Sequence, residues 1–523
     1  MTKPYDFGGV NLTAGEDSSG ARVDPETPFR IAILGDFSGR ANRGLCEPAT
    51  ISKRRAVLVD RDNFDDVLAH SGAEIHLPIG DGGSSKLRFS ELDDFHPDRI
   101  FEQLEAFYKL RELRGRVQDA STFPAAAAAL GLRSPAADPA QPKPADSSPA
   151  PPRVSQIASG SLLDELVEQT EARAPEDQHR RAPDAVQEFA RRVAAEHLVS
   201  TPDPRQPEVL GVMDRAIAQL MRAILHNSDF QSLEAAWRAT FLLVRLLETG
   251  STLKIYLFDI SKEELAADLS SADLESKKDL RQTGAYRLLV QQTVETPGAE
   301  PWAIIVGNYS FGADNKNDNK DAELLSRMAQ VARRAGAPFL AEASPRLLGC
   351  SSLVADNCWR TLSEPPAAFT ALRHLPEADA LGLALPRFLL RLPYGKQTSP
   401  LESFDFEEFP GSPVHEDYLW GNPAFVVALL LAQSFAESAD ESAGKTRPGT
   451  VSSLTGLPLH LYRHNGDSEV KPCAEVLLID DAVDRILSAG LMPLVSFKAR
   501  DEVRLARFQS IADPPRALAA RWK

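Results

Sequence analysis

Short apolar runs alternate with amphipathic stretches along most of this 523-residue chain. The run 29–34 is apolar and ends at Gly35 and Asp36, which predicts a buried strand followed by a turn. Further strands are predicted where β-branched and aromatic residues alternate, or where apolar residues run together. These segments are 75–79, 87–89, 253–260, 302–307, 338–340 and 476–479. The first two flank a glycine turn at 81–83 and are expected to pair.

Helical periodicity is clearest in the segment 100–116, where apolar residues recur at helical spacing. They are Ile100, Leu104, Phe107, Leu110 and Leu113. Further helices are predicted at 63–68, 161–170, 186–194, 209–224, 261–265, 321–335, 422–435 and 482–488. Because strands alternate with helices, the predicted fold class is α/β, with mixed sheets flanked by helices.

The composition changes sharply at 134–160, a stretch rich in Pro, Ala and Ser that contains no aromatic residue. Such a stretch cannot bury enough apolar surface to fold, so it predicts a disordered linker. Before the linker, we predict a flexible N-terminal arm, 1–28, and a first domain, 29–133. After the linker, we predict a helical segment, 161–225, and an α/β domain, 226–523.

The balance of charge disfavours one class of partner. Lys and Arg number 58 against 74 Asp and Glu, which gives a net charge of −16. An acidic chain repels phosphate backbones, so no nucleic-acid partner is expected. The run Lys53-Arg54-Arg55 is the best candidate for a local basic patch, and its ordinary interpretation is a solvated face.

Cysteine usage and the N-terminal sequence favour a cytoplasmic protein. Cys46, Cys350, Cys358 and Cys473 include no C-x-x-C pair, so buried free thiols in a reducing compartment are predicted. The N-terminal sequence has no apolar core of the kind that signal peptides carry. No apolar run is long enough to span a bilayer, so no direct membrane insertion is expected.

Two arginines, Arg387 and Arg391, stand four residues apart within an apolar stretch. A buried guanidinium needs partners, because an unpaired buried charge is costly. The acids that follow closely are Glu402, Asp405, Glu407 and Glu408. Three interpretations stay open: internal ion pairs, a contact between subunits, or a clamp for an anionic substrate.

A second polar group, His415, Glu416 and Asp417 with Tyr418, is compatible with acid–base chemistry. The favoured interpretation is a hydrogen-bonded structural turn before the helix predicted at 422–435. The zinc motif H-E-x-x-H fails because position 419 is Leu. The sequence contains no phosphate-binding loop and no G-x-S-x-G elbow. No catalytic residue, cofactor or metal ligand is therefore predicted.

Several segments of the second half occur in the order of a known family. They include HNSDFQSLEAAWR at 226–238, ETG at 248–250, LPRFLLRLPYG at 385–395, FDFEE at 404–408, HEDYLWGN at 415–422, GLP at 456–458 and GLMPL at 490–494. Together they resemble the large sheath subunit of type VI secretion systems, over roughly 161–495. In the first half, LGDFSGR at 34–40, VDRDNF at 59–64 and LRFSELDDFHPD at 87–98 resemble the small sheath subunit.

This resemblance implies a structural protein and not an enzyme. In the family, small and large subunits pair, and the pairs stack helically around an inner tube that contraction drives outward. The implied partners are other sheath subunits, the inner-tube protein, baseplate components and a AAA+ unfoldase. The residues expected to serve structure or assembly are Arg387, Arg391, His415, Glu416, Asp417 and Trp420.

The segment 161–170 resembles, in position and character, the helix that the unfoldase grips. Its apolar face would consist of Leu162, Leu163, Leu166 and Val167. An amphipathic helix on a flexible tether suits recognition in a groove. The alternative, that this helix packs on its own domain, stays open.

The sequence departs from the family after Leu494, where only a short stretch follows, and so predicts a large-subunit part that is short at its C-terminus. Three hypotheses follow: a fused sheath subunit that polymerises, a sheath-like accessory that does not polymerise alone, and an enzyme built around Arg387, His415 and Glu416.

Overall fold

The structure is a computed structural model. It describes residues 5–7, 10–12, 27–79, 84–131, 203–271, 279–312, 318–354, 365–439 and 451–521. Its strands are β1 (Tyr5–Phe7), β2 (Val10–Leu12), β3 (Phe29–Gly35), β4 (Val57–Val59), β5 (Glu74–Pro78), β6 (Ser84–Arg88), β7 (Leu253–Asp259), β8 (Ile304–Phe311), β9 (Phe339–Ala343), β10 (Leu381–Leu385), β11 (Phe388–Leu389), β12 (Trp420–Gly421), β13 (Ser453–Leu454), β14 (His460–His464), β15 (Asp467–Lys471), β16 (Met492–Ser496) and β17 (Val503–Leu505).

The described helices are distributed over both halves of the chain. They are α1 (Phe64–Ser71), α2 (Pro97–Gln103), α3 (Glu105–Gln118), α4 (Phe123–Ala129), α5 (Gln206–Leu225), α6 (Ser228–Leu246), α7 (Lys262–Ser270), α8 (Gly284–Tyr286), α9 (Asp318–Ala335), α10 (Ala367–Arg373), α11 (Pro423–Ala439) and α12 (Asp480–Ser488).

Among the described residues, nine strands form one mixed sheet in the order β13-β17-β16-β10-β9-β8-β3-β7-β4. The six strands from β16 to β7 run parallel to their neighbours, whereas β4, β13 and β17 pair antiparallel at the two edges. Short two-stranded sheets, β1–β2, β5–β6, β11–β12 and β14–β15, complete the described strands. The predicted α/β class with a mixed sheet flanked by helices is therefore confirmed.

Strand β3 lies inside this sheet, third from the β4 edge, although it comes from the first half of the chain. It pairs with β7 from Phe29↔Leu253 to Gly35↔Asp259, and on its other edge it pairs with β8. Both neighbours belong to the second half, beyond the predicted linker. The two halves therefore build one sheet together.

The side chains of β3 alternate between two apolar cores, as a strand covered on both faces requires. Ile31 and Ile33 join the core that contains residues of α5, α6 and α11. Ala32 and Leu34 join the opposite core, which contains residues of α7, α9 and α10. All four side chains are buried. This two-sided burial explains why the sequence of β3 is a continuous apolar run.

The last described helices of the first half pack against the first described helix of the second half. Helix α4 packs beside α3 and α5 in a small separate core that includes Val117, Phe123 and Met213. The buried Gln206 side-chain amide donates hydrogen bonds to the carbonyls of Val117 and Gln118, at 2.8 and 2.7 Å. The chain therefore leaves the first half and re-enters the second half at neighbouring places.

Most of the predicted elements are confirmed. The strands predicted at 29–34, 253–260, 302–307 and 338–340 correspond to β3, β7, β8 and β9, and the predicted hairpin corresponds to β5 paired with β6. Ser261 caps α7 through a capping box with Glu264. The domain boundaries given above stay predictions.

Two predicted elements are wrong. The helix predicted at 100–116 is two helices, α2 and α3, because Leu104 adopts an extended conformation and turns its side chain into the core. The segment 476–479 has the sequence of a strand but pairs with no strand in the described part of the chain.

The cysteine prediction is correct in part. Cys473 is free and buried, but Cys46 is free and exposed, and Cys350 takes part in a disulfide bond. Spacing along the chain does not reveal which thiols the fold exposes or pairs. The predicted linker, 134–160, and the predicted helices at 161–170 and 186–194 lie outside the described residues, together with Cys358.

Candidate functional site: buried charge clusters that join segments

The predicted assembly residue Arg391 lies just after β11 and is buried between two carboxylates. Its Nε donates to Glu234 on α6 at 2.9 Å, and its Nη1 donates to Glu408 at 2.8 Å. Arg238 shares Glu234 through a 2.7 Å hydrogen bond. The Arg391 guanidinium also lies 4.3 Å from the ring centroid of Tyr394. We call these five residues the Arg391 cluster.

The Arg391 cluster balances two guanidinium groups against two carboxylates, and of these four groups Arg391, Glu234 and Glu408 are buried. Burial alone would raise the pKa of Glu408. The positive charge of Arg391, together with hydrogen bonds from His226 and Arg391, instead lowers this pKa to about 2. The neighbouring carboxylates likewise raise the pKa of Arg391 above its usual value, against the effect of burial. Every charge therefore has a partner, which is the condition for a buried ion pair to stabilise a fold. Of the acids proposed from the sequence, Glu408 is the one that pairs with Arg391.

Arg387 forms a second cluster at the start of the same stretch. Its backbone N–H and its Nε donate to the two carboxylate oxygens of Glu475, at 2.9 and 2.8 Å. Glu416 lies at the margin, 3.4 Å from Arg387 Nη2. Glu475 is buried, which raises its pKa, but His415 and Arg387 lower that pKa to about 2. The nearby-acid prediction is wrong for Arg387, because its main partner lies 88 residues further along the chain.

The group around His415 is a 3-10 turn, His415–Asp417. The His415 ring lies 3.3 Å from Glu475 and 2.7 Å from the amine of Lys471. The backbone carbonyl of His415 accepts a 2.9 Å hydrogen bond from Trp420 Nε1. These contacts engage the imidazole and the main chain within the protein, as the structural interpretation of this turn requires.

Lys471 lies under two aromatic rings, 5.5 Å from the centroid of Tyr418 and 5.3 Å from that of Trp420. Burial lowers the pKa of Lys471 to about 8, although the carboxylates of Glu475 and Glu416 oppose this effect. Lys471 could not be predicted from the sequence, because the hairpin β14–β15 brings it to His415 from 56 residues away.

Asp417, another of the residues predicted from the sequence, lies on the side of the turn that faces the Arg391 cluster. Its backbone carbonyl accepts a hydrogen bond from Gln231 on α6, and its carboxylate lies 3.4 Å from His226 Nδ1. His226 in turn lies 3.5 Å from Glu408. The residues that the sequence singled out thus fall into two neighbouring clusters with different partners.

A third cluster joins the two halves of the chain, and sequence reasoning missed it. Glu264 lies in the first turn of α7 with its side chain fully buried. It accepts hydrogen bonds from Arg40, with Nη2 at 2.8 Å, and from Arg54, with Nη2 at 2.7 Å. The backbone N–H of Glu47 donates to the same carboxylate at 2.9 Å. We call Arg40, Arg54 and Glu264 the Glu264 cluster.

The Glu264 cluster holds a strongly stabilised anion. Burial raises the pKa of Glu264, but hydrogen bonds from Arg54 and Arg40 outweigh this effect and bring it to about 2. Arg54 belongs to the basic run that the sequence assigned to a solvated face, so that interpretation is wrong for this one residue. Its ion-pair partner Glu264 lies 210 residues further along the chain, and a local sequence pattern cannot indicate a partner at such a separation.

A hydrogen-bonded seam continues beside β3 and β7. The Asp259 carboxylate at the end of β7 accepts from the backbone N–H groups of Phe37 and Ser38, at 2.8 and 3.1 Å, and from the Ser38 hydroxyl at 2.7 Å. The Trp237 indole on α6 donates to the carbonyl of Phe37 at 2.9 Å. The turn that follows β3 is therefore fixed from two sides by the second half.

Within the described ranges, no group of three or more His, Cys, Asp or Glu side chains is arranged to hold a metal ion. In those same ranges, no helix is long and apolar enough to cross a membrane. The residues Leu162, Leu163, Leu166 and Val167 of the predicted unfoldase helix lie outside the described residues.

Comparison with known proteins identifies both halves. The family model VipB, described as EvpB/VC_A0108, tail sheath N-terminal domain, matches residues 208–512, more than half of the chain. The chain belongs to the VipB tail sheath family. The family model T6SS_VipA, described as type VI secretion system, VipA, VC_A0107 or Hcp2, matches residues 9–123. The chain thus carries a VipA-like half and a VipB-like half.

Two proteins of Pseudomonas aeruginosa show the same division. The type VI secretion system sheath protein TssC1 is 32% identical over 355 residues, which cover 64% of this chain and 68% of TssC1. The sheath protein TssB1 is 26% identical over 111 residues, which cover 20% of this chain and 62% of TssB1. The chain therefore combines a TssB-like and a TssC-like part, and its family role is that of a structural sheath protein.

Proposed function

We propose that this chain is a building block of a type VI secretion sheath, in which the VipA-like and VipB-like halves act as one rigid unit. The observation that carries the proposal is the position of β3. This strand of the VipA-like half separates β7 and β8 of the VipB-like half within a single sheet. A strand in that position cannot leave without breaking the sheet, so the halves have to move as one body during contraction.

Copies of this unit would stack helically around an inner tube in the cytoplasm, abut baseplate components at one end, and be recycled by a AAA+ unfoldase. The similarity of both halves to sheath proteins supports these partners. A single chain also fixes the ratio of the two halves at one to one and keeps them at high local concentration.

A structural role accounts for the charged residues better than catalysis does. Arg387 is held by Glu475, and His415 lies between Glu475 and Lys471. Groups that satisfy one another in this way are engaged in the fold and are poorly placed to bind a substrate anion. We therefore assign Arg387, Arg391, His415, Glu416, Asp417 and Trp420 to the internal architecture of the unit.

Negative-stain electron microscopy of the purified full-length protein tests the proposal. We expect tubes or stacked rings whose number rises with protein concentration. Particles of single-chain size at every concentration, from protein with a native circular dichroism spectrum, would contradict self-assembly and favour a sheath-like accessory. A concentration series at low and moderate salt separates a weak interaction from none.

A further inference from the structure

One edge of the nine-stranded sheet is apolar, basic and open. In the edge strand β4, Val57 is 44% exposed and Leu58 is 43% exposed. Lys53 and Arg55, just before this strand, are also exposed. Strand β4 pairs with β7 on one side and with no other strand in the described part of the chain. Open, apolar strand edges are frequent sites of protein association. We call this surface the basic edge.

A second surface also combines exposed apolar residues with exposed charged residues, but its charges are negative. In the segment 476–479, Val476 and Leu478 pack on the core, whereas Leu477 is 41% exposed and Ile479 is 59% exposed. This alternation is that of a strand. Asp480 and Asp481 follow at once as the exposed first turn of α12. We call the segment 477–481 the acidic segment.

The charges of both surfaces are free within the described part of the molecule. Lys53 and Arg55 form no ion pair with any described residue, and neither do Asp480 and Asp481. This differs from the interior, where Arg54, next to both basic residues, is held by Glu264. These two complementary charged surfaces therefore have no ion-pair partner among the described residues.

The two surfaces cannot meet within one molecule. The basic edge is one end of the sheet, whereas the acidic segment lies beside β16, where Ser496 Oγ donates to the carbonyl of Val476 at 3.4 Å. Six inter-strand steps separate β16 from β4, which at about 4.8 Å each gives roughly 29 Å. Among the described residues, neither surface can therefore serve as the partner of the other within the same copy.

We propose that the basic edge of one copy docks on the acidic segment of the next copy. Val57 would cover Leu477 and Ile479, while Lys53 and Arg55 would face Asp480 and Asp481. The contact joins two different surfaces, so it is heterologous and repeats from copy to copy instead of closing on a pair. The inference rests on the proposed self-assembly of this chain and names a surface that carries it.

Charge reversal tests the contact directly, since exposed charges can be inverted without disturbing the core. The first variant is Lys53→Glu with Arg55→Glu, and the second is Asp480→Lys with Asp481→Lys. Each variant alone would set like charges against each other at every contact. In an equimolar mixture, each reversed surface would meet a surface of opposite sign on the other variant, and assembly should return.

The measurement is sedimentation velocity over a concentration series at low and high salt, with electron microscopy of the same samples. We expect each variant alone to need about tenfold more protein than wild type to associate. We expect the mixture to return to the wild-type value. High salt should weaken association of the wild type, because the charges lie on the surface. The control, Arg463→Glu with Lys498→Glu, makes the same change in net charge as the first variant, at two other exposed residues, and should associate like wild type.

The outcomes separate this contact from the proposed function. Tubes that persist unchanged in both charge-reversed variants would overturn the contact and leave self-assembly intact. A second outcome is that the wild type forms small oligomers but no tubes, that each charge-reversed variant alone loses these oligomers, and that the mixture restores them. This outcome would support the contact and contradict the proposed polymer. A wild type that stays monomeric at every concentration would overturn both.

Discussion

At the scale of single residues, the molecule places its buried charges in matched groups. Arg391 lies between Glu234 and Glu408, Arg387 is held by Glu475, and Glu264 accepts from two arginines. Removing one member of such a group leaves a buried charge unpaired, which costs more than the pair itself contributes. These groups therefore fix which segments lie together.

We predict that Arg391→Met lowers the free energy of unfolding by about 3–5 kcal/mol, because Glu408 loses its main cationic partner in the interior. Urea denaturation followed by tryptophan fluorescence measures the change. The control Arg463→Met removes an exposed arginine and should change stability by less than about 0.5 kcal/mol. A loss below 1 kcal/mol for Arg391→Met would mean that the cluster is hydrated and does not anchor the fold.

We also predict that the Glu264 cluster makes stability depend on pH. The pKa of Glu264 is lowered from its ordinary value of 4.5 to about 2. Between these values the unfolded chain binds more protons than the folded chain, so the contribution is complete above pH 4.5 and is lost as the pH falls toward 2.

The test compares wild type with Glu264→Gln in urea denaturation at several pH values. The wild type should be more stable than the variant at pH 7, and the difference should shrink steadily below pH 4.5. A difference that stays constant with pH would show that the carboxylate charge is not what stabilises the contact.

Some of these ion pairs could be predicted from the sequence and others could not. The pair Arg391–Glu408 could be predicted because its members lie only 17 residues apart in a stretch where a buried arginine needs an acid. Glu234 and Glu475 could not, since they lie 157 and 88 residues from their arginines. Local sequence shows that a charge requires a partner, but only the fold determines which distant residue supplies it.

At the scale of elements, apolar patterning predicted where strands lie along the chain far better than it predicted which strands pair with one another. The run in β3 correctly indicated a strand covered on both faces, yet nothing in it indicates a place between β7 and β8. The segment 476–479 shows the converse case. Its alternation is real, with two residues inward and two outward, but the strand that would complete the pairing is absent from the described chain.

Other elements escaped prediction for reasons of length and context. Strand β4 contributes three residues at an edge, and β17 also has only three. The pattern in 100–116 is continuous across Leu104 because a single extended residue hardly alters helical spacing. Apolar patterning also did not predict the 19-residue helix α6 or the interior strands β10 and β16, so neither length nor burial alone makes an element predictable.

At the scale of the whole molecule, two sheath-like halves share one sheet, two cores and a seam of ionic contacts. Helices α4 and α5, which flank the segment 132–202 along the chain, pack in the same small core. The fold of the described residues should therefore depend on the presence of both halves and not on the peptide that joins them. This is the central claim, and separating the halves tests it.

The measurement is native mass spectrometry of residues 1–131 and 203–523, produced separately and then together in the same cell. We predict that the two pieces form a one-to-one complex when co-produced, and that each piece alone fails to fold because β3 and β7 then lose both neighbouring strands and β8 loses one of its two. Two pieces that fold alone and stay apart when co-produced would contradict the account, because the shared sheet could not then be what holds the molecule together.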